Sequence, residues 1–130
     1  MKKPVNLKTW VIQRLRGQSY KWPSRNEALV AARIERGLYK CAHCNGTFKR
    51  CEVEIDHIKP VVPLTGWDNW DGFIERLFCN TEGFQILCKT PCHTVKTTAE
   101  DTIRAKYNAE RKAKDKELKK KNIVDKKKEE

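Results

Sequence analysis

The sequence lacks the features that a membrane-bound or exported protein requires. It has no apolar run long enough to span a bilayer and no basic helix with a strong apolar face that would lie on one. Its first residues, MKKPVNLKTWVIQRLRG, lack the small and apolar stretch of a signal peptide. We therefore expect no membrane partner and a cytoplasmic, reducing compartment, in which cysteines act as metal ligands or free thiols rather than as disulfides.

Apolar residues are also scarce. They occupy 38% of the 130 positions and charged residues occupy 35%, so we expect one domain with a small core. A core of this size often depends on a bound metal ion for its stability. The chain has an excess of positive charge, because 28 Lys and Arg stand against 17 Asp and Glu and give a net charge of +11. Such a charge is typical of a protein that binds a polyanion, most commonly nucleic acid.

Two helices are predicted in an N-terminal arm, residues 1–37. The first covers residues 6–16, where the apolar residues form a helical stripe that Asn6 can cap. The second begins with Ser24-Arg-Asn-Glu27, which has the pattern of a capping box, and ends at Gly37. The arm is therefore expected to be helical throughout, apart from the loop between its two helices.

The next segment, residues 38–103, is predicted to form the domain that carries the functional site. A strand is expected from Phe48 to Ile58, where apolar and acidic residues alternate, and a second strand over residues 83–87. A short helix is expected between them over residues 70–78. A long helix is expected to open with Cys88-Lys-Thr-Pro-Cys92-His93, since proline is tolerated in a first helical turn. The predicted fold class is α+β.

The composition changes in the last segment of the chain. Residues 104–130 hold 12 Lys and Arg and 6 Asp and Glu, so this segment carries +6 of the net charge and almost no large apolar residues. We expect a basic helix that frays into disorder and adds weak, salt-sensitive affinity for nucleic acid.

Four of the six cysteines form two closely spaced pairs. Cys41 and Cys44 are separated by two residues and stand before an Asn-Gly turn, at the tip of an expected hairpin, and Cys88 and Cys92 stand at the start of the last helix. Zinc prefers four soft ligands in a tetrahedron, and two such pairs supply them. We therefore predict a structural zinc site; the alternative is that these cysteines are buried free thiols.

Three further residues fit a zinc site less well. His43 lies between the first two cysteines, where it can replace one of them but is expected to point outward. Cys51 and Cys79 are isolated, in or beside apolar segments, and are expected to be buried free thiols.

Asp56, His57 and His93 together offer the side chains that phosphodiester cleavage requires. Asp56 and His57 end the predicted strand, and a zinc site would draw His93 toward them because it follows Cys92 directly. A neutral histidine can take a proton from water, and a divalent cation held by a carboxylate and an imidazole can contact the phosphate. Each residue taken singly is more often structural or on the surface, so the prediction depends on their joint placement.

Two segments resemble the motifs of HNH endonucleases. Residues 54–62, EIDHIKPVV, resemble the strand motif of this family, and residues 84–98, FQILCKTPCHTVKTT, resemble its closing motif. The arm and residues 76–88, RLFCNTEGFQILC, resemble small HNH proteins encoded by bacteriophages. The resemblance covers roughly residues 8–100.

This resemblance implies a ββα-metal core with a structural zinc on the four paired cysteines. It implies His57 as general base, and Asp56 and His93 as ligands of a catalytic Mg²⁺, Mn²⁺ or other divalent transition-metal ion. The implied activity is nicking or double-strand cleavage of DNA in the cytoplasm of a bacterial host, with phage packaging proteins as possible partners. The implied products carry 5′-phosphate and 3′-hydroxyl ends.

The sequence departs from the family pattern at two places. Cys88 and Cys92 are separated by one residue more than is usual in the family. The family also has an asparagine where this chain has Gly83. The nearby Asn80 is expected to take its role of bracing the loop between the strands, with Asn69 as the weaker candidate.

Three basic residues around the predicted site are candidates for DNA binding. Lys96 shares a helix face with His93, and we expect it to hold a phosphate, with a solvated lysine as the alternative. Lys59 and Arg50 are placed near the site by sequence alone. A zinc-knuckle module that binds nucleic acid without cutting it, or a scaffold protein with a basic tail, remain as alternatives to the nuclease.

Overall fold

The computed structural model describes residues 3–128, and the side chains of the last helix through Val124. The described part is a mixed α+β structure with small antiparallel sheets, as the sequence predicts. Its helices and strands are, in chain order, α1 Leu7–Ser19, α2 Pro23–Ala31, β1 Arg33–Glu35, β2 Leu38–Lys40, β3 Thr47–Lys49, β4 Val53–His57, α3 Trp70–Leu77, β5 Phe84–Cys88 and α4 Thr94–Lys128.

The strands form two antiparallel sheets. One has the order β1-β2-β3, and the other consists of β4 and β5 alone. In the β4–β5 pair, Val53 lies opposite Cys88 and Asp56 lies opposite Gln85. This register places the end of β4 beside the start of β5, and it places the start of β4 beside Cys88.

The second predicted helix is only partly correct. It begins at Pro23 in its first turn, with Trp22 rather than Ser24 in the capping position, and it ends at Ala31. The predicted capping box is wrong: the Glu27 carboxylate instead accepts a hydrogen bond of 2.8 Å from the Thr81 hydroxyl. The remaining residues form the hairpin of β1 and β2, because strand pairing satisfies their backbone groups as fully as a helix would.

The long predicted strand from Phe48 to Ile58 is interrupted. A 3₁₀ turn over Arg50–Glu52 separates β3 from β4, and the Glu52 carboxylate accepts a hydrogen bond of 3.1 Å from the Lys49 backbone N–H. Since β3 and β4 belong to different sheets, the chain changes sheets at this turn. Alternation of apolar and acidic residues continues across such a break, so the pattern alone does not reveal it.

The last helix begins later than the sequence predicts. Thr90 has an extended backbone (φ −134°, ψ 124°), and regular α-helix starts at Thr94, whose hydroxyl donates a 2.7 Å hydrogen bond to the Lys89 carbonyl. From there α4 is continuous through Lys128, where we expected fraying. The part of that prediction that concerns residues 129–130 lies outside the described residues. Within residues 3–128 no helix combines the length and apolar character that crossing a bilayer requires.

The two helices of the N-terminal arm pack on the rest of the chain. Leu29 of α2 lies in one buried cluster with Val53, the first residue of β4, and Ile86, in the middle of β5. Ile12 and Leu15 of α1 pack against a second cluster formed by three buried residues, Val61, Phe73 and Leu77. The apolar faces of both helices therefore contribute directly to the core that supports the site.

Candidate functional site

The four paired cysteines lie together. Their sulfur atoms are all within 4.8 Å of one another, and only Cys44 is exposed. The Cys41 backbone N–H donates to the Gly46 carbonyl at 2.9 Å, and Asn45 takes a positive φ of 61°, so the Asn-Gly turn folds the first pair inward. The predicted cluster of four cysteines is thus confirmed, and it can hold a metal ion such as zinc.

The ionisation of the cluster is uneven. Burial alone would raise the pKa of the Cys41 thiol, but hydrogen bonds from the backbone N–H groups of Cys44, Cys88 and His43 lower that pKa to about 6. Burial and the neighbouring thiols raise the pKa of Cys92 to about 12. Four thiolates in so small a space require a cation among them, and a zinc ion would supply that charge.

His43 and Cys51 lie in surroundings that differ from those expected from the sequence. The His43 Nδ1 atom lies 3.6 Å from the Cys92 sulfur, so the ring turns back toward the cluster instead of pointing outward. Cys51 is exposed on the 3₁₀ turn after β3, and its predicted burial is wrong because that turn leaves the sheet. Cys79 is half-buried, and burial raises the pKa of its thiol.

Asp56 and His93 are brought together at the other end of the β4–β5 pair. The Asp56 Oδ1 atom lies 3.8 Å from His93 Nε2. The Gln85 amide, opposite Asp56 in the sheet, donates a 2.9 Å hydrogen bond to Asp56 Oδ2. The Asp56 side chain is 14% exposed, so it is a largely buried carboxylate that still reaches solvent.

His57 is held by contacts of a different kind. Its Nε2 atom lies 3.0 Å from the carbonyl oxygen of Leu77, and its ring is tilted against Phe84 with the ring centroids 4.8 Å apart. A carbonyl oxygen only accepts hydrogen bonds, so the proton of the neutral ring is on Nε2 and the lone pair is on Nδ1. The structure therefore fixes both the orientation and the tautomer of this histidine.

The surroundings of His57 favour its neutral form. Burial lowers the pKa of His57, and the positive charges of Arg25 and Arg16 lower it further. The Leu77 carbonyl and the Asp56 carboxylate raise the pKa of His57, but the net pKa is still below its ordinary value. A depressed pKa keeps the imidazole neutral near pH 7, as a proton acceptor requires.

Asp56 and His57 line one small cavity of about 170 Å³, although neighbouring side chains of a regular strand face opposite ways. They do so because β4 ends at His57 and the chain then turns through Pro60. Three cationic side chains and one further carboxylate complete its polar lining: Arg16, Lys96, Arg104 and Glu100.

Lys96 lies inside this site. Its ammonium nitrogen is 2.9 Å from Asp56 Oδ2, 2.7 Å from Glu100 Oε1 and 3.1 Å from the His57 carbonyl oxygen. Burial lowers the pKa of Lys96, but the carboxylates of Glu100 and Asp56 together raise it above its ordinary value. The side chain predicted to hold a phosphate is thus engaged by two carboxylates of the protein.

The two other predicted DNA contacts lie away from Asp56. Lys59 lines a different cavity, of about 430 Å³, together with Asn80. The Arg50 guanidinium donates a 3.3 Å hydrogen bond to the Val53 carbonyl at the start of β4. Their role in DNA binding stays a prediction.

The loop between the strands is braced mainly through its backbone. The Asn80 side chain is exposed, and the Asn80 backbone carbonyl accepts a 2.9 Å hydrogen bond from the Gly83 backbone N–H. A Cβ atom at Gly83 would lie 2.5 Å from the Cys79 sulfur, so this position has no room for the asparagine of the family pattern. The Ile58 N–H donates to the Gly83 carbonyl at 2.9 Å, which ties the loop to the end of β4.

Four residues of the site were not predicted from the sequence: Gln85, Glu100, Arg104 and Arg16. Glu100 and Arg104 continue the helix face of His93 and Lys96 at spacings of three and four residues, a signal that the sequence did contain. Gln85 and Arg16 are recognisable only from strand register and helix packing, which have no local sequence pattern.

No protein-family model, curated protein or solved structure matches the chain.

Proposed function

We propose that this protein is a metal-dependent DNA endonuclease that hydrolyses phosphodiester bonds with Asp56, His57 and His93. The observation that carries the proposal is the 3.8 Å separation of Asp56 Oδ1 and His93 Nε2. Asp56 also lines one cavity with His57, whose lowered pKa favours the neutral ring. These residues come from β4 and from the turn before α4, so their approach reflects the fold and not their order in the chain.

The donor set fits a divalent cation. Two ligand atoms that each lie about 2.1 Å from one ion are at most about 4.2 Å apart, and the observed 3.8 Å is within that limit. One carboxylate oxygen and one imidazole nitrogen suit Mg²⁺, Mn²⁺ or a first-row transition metal. When bound, such a cation supplies positive charge that stabilises the phosphate during cleavage.

His57 has the properties of a general base. Its Nε2–H donates a hydrogen bond to the Leu77 carbonyl, so Nδ1 carries the lone pair that can accept a proton from water. The lowered pKa keeps the ring unprotonated at neutral pH. Since the ring is packed on Phe84, its orientation does not depend on the substrate.

Two further features support DNA as the substrate and the HNH family as the class. The order β4, β5, α4 around the site is the strand, strand, helix order that the resemblance implies, with the cysteine cluster beside it. The cavity presents Arg16 and Arg104 next to Asp56, and the chain carries a net charge of +11. Both favour an approaching phosphate.

The proposal is tested by incubating supercoiled plasmid with the full chain and Mg²⁺, Mn²⁺ or EDTA. We expect cation-dependent nicking or linearisation, abolished in Asp56→Ala and His57→Ala. Asp101→Ala is the matched control, because Asp101 is an exposed carboxylate outside the cavity and its loss should leave cleavage unchanged. Cleavage that survives both site substitutions would contradict the assignment.

A second candidate is a zinc-knuckle module that binds nucleic acid without cutting it. The observation that favours it is the ion pair of Lys96 and Asp56, which neutralises the carboxylate without a divalent cation. A plasmid left intact by every cation, together with salt-sensitive retardation of DNA in a gel, would support this module and contradict the endonuclease.

A further inference from the structure

The ammonium group of Lys96 has the surroundings of a bound cation. Three oxygens contact it, from Asp56, Glu100 and the His57 carbonyl, at 2.9, 2.7 and 3.1 Å. An ammonium group has three N–H donors, so the number of acceptors matches the number of donors. The side chain is 25% exposed, which means that these contacts are only partly screened by solvent.

The ammonium group and the proposed divalent cation share one carboxylate. Asp56 Oδ2 accepts from Lys96 and Gln85, while Asp56 Oδ1 faces His93. Two positive charges on one carboxylate repel each other strongly in a partly buried site. Binding of the cation at Asp56 is therefore opposed for as long as Lys96 stays in place.

We propose that Lys96 is a built-in competitor of the divalent cation at Asp56. Its ammonium group neutralises the Asp56 and Glu100 carboxylates, and it leaves Asp56 when the cation binds. This inference rests on the proposed function only in placing the cation at Asp56 and His93. Once released from Asp56, the ammonium group can contact a phosphate, which reconciles the observed contacts of Lys96 with the role predicted from the sequence.

A direct test is a titration of the full chain, purified with zinc, with Mn²⁺, followed by the electron paramagnetic resonance signal of free Mn²⁺. Lys96→Gln should bind Mn²⁺ about tenfold or more tightly than the wild type, because one competing charge is removed. Lys96→Arg, which keeps the charge, and Lys89→Gln should bind as the wild type does. Lys89 is the matched control because its ammonium pairs with Glu54, at 3.6 Å, outside the site.

Unchanged or weaker Mn²⁺ binding by Lys96→Gln would overturn the inference, and so would equal tightening by Lys89→Gln. Asp56→Ala should lose the Mn²⁺ site, which locates the measured binding; a site that survives Asp56→Ala would also count against the inference.

A second measurement follows cation binding in the wild-type chain and uses a variant only to assign the signal. An ammonium group held by three oxygens should give a side-chain ¹⁵N signal in NMR that disappears in Lys96→Arg. Diamagnetic Mg²⁺ should shift or remove this signal, and EDTA should restore it. A signal that is unaffected by saturating Mg²⁺ would show that cation and ammonium group do not compete.

The outcomes separate this inference from the proposed function. Tighter Mn²⁺ binding by Lys96→Gln in a chain that cuts no plasmid would uphold the competition and contradict the endonuclease. Cation-dependent cleavage with an Mn²⁺ affinity that does not respond to Lys96→Gln would uphold the endonuclease and overturn the competition.

Discussion

The Nε2 atom of His57 lies 3.0 Å from the carbonyl oxygen of Leu77, 20 residues further along the chain. This contact joins the last residue of β4 to the last residue of α3. It determines which ring nitrogen keeps its proton, and hence which one can act as a base. A backbone carbonyl thus sets the chemistry of the side chain on which the proposed reaction depends.

The pH dependence of cleavage should report the lowered pKa of His57. Burial and the nearby arginines hold this pKa below its ordinary value of 6.5, so the neutral base predominates at pH 6.5 and above. We expect kcat/KM, measured at saturating Mg²⁺, to reach a plateau as the pH rises above 6.5 and to fall about tenfold per pH unit well below the depressed pKa. An inflection above 6.5 would assign the proton transfer to another group.

The zinc predicted at the cysteine cluster should be required for the domain to fold. The cluster joins the hairpin tip to the end of β5, and in small zinc domains metal binding contributes on the order of 10 kcal/mol to folding. We expect Cys88→Ser, or chelation of the wild type, to abolish cooperative thermal unfolding in circular dichroism. Cys51→Ser is the control, because Cys51 is exposed and outside the cluster. Metal analysis should find one zinc per chain in the control and less in Cys88→Ser.

Two glycine substitutions should change stability in opposite directions. In Gly83→Ala the new Cβ would lie 2.5 Å from the Cys79 sulfur, and we expect a loss of about 1–3 kcal/mol in urea denaturation. Gly17 lies within α1 with nothing within 4 Å of its added Cβ, so Gly17→Ala should gain about 0.5–1 kcal/mol from the lower entropy of the unfolded chain. Equal effects at the two positions would contradict the packing described for the loop.

The N-terminal arm should stabilise the whole domain. Leu29 is 8% exposed and packs on Val53 and Ile86, so Leu29→Ala should cost about 2–5 kcal/mol of unfolding free energy. Val30, its neighbour in α2, is 59% exposed, and Val30→Ala should cost about 0.5 kcal/mol or less. If both substitutions proved neutral in urea denaturation, α2 would have to be an independent appendage.

The sequence allowed some elements to be predicted because their signals are local. Asn6 caps α1 through a 3.1 Å hydrogen bond from Thr9, and α3 begins after Asn69, within one residue of its predicted ends. The hairpin of β1 and β2 was missed because Ala28 to Gly37 suits a helix by composition, and pairing with β3 outweighed that preference. Pairing with a following strand has no signature within the segment itself.

The sequence by itself determined the parts of the site that consist of side-chain identity and short spacing. These are the four paired cysteines and the Asp56, His57 and His93 set, because ligand chemistry depends on residue type. Only the tertiary structure decided how these groups are held. The Leu77 carbonyl that fixes His57 and the contact of Lys96 with Asp56 join separate elements and act through space. Every residue carries a backbone carbonyl, so its position in the fold gives it a role that the sequence does not mark.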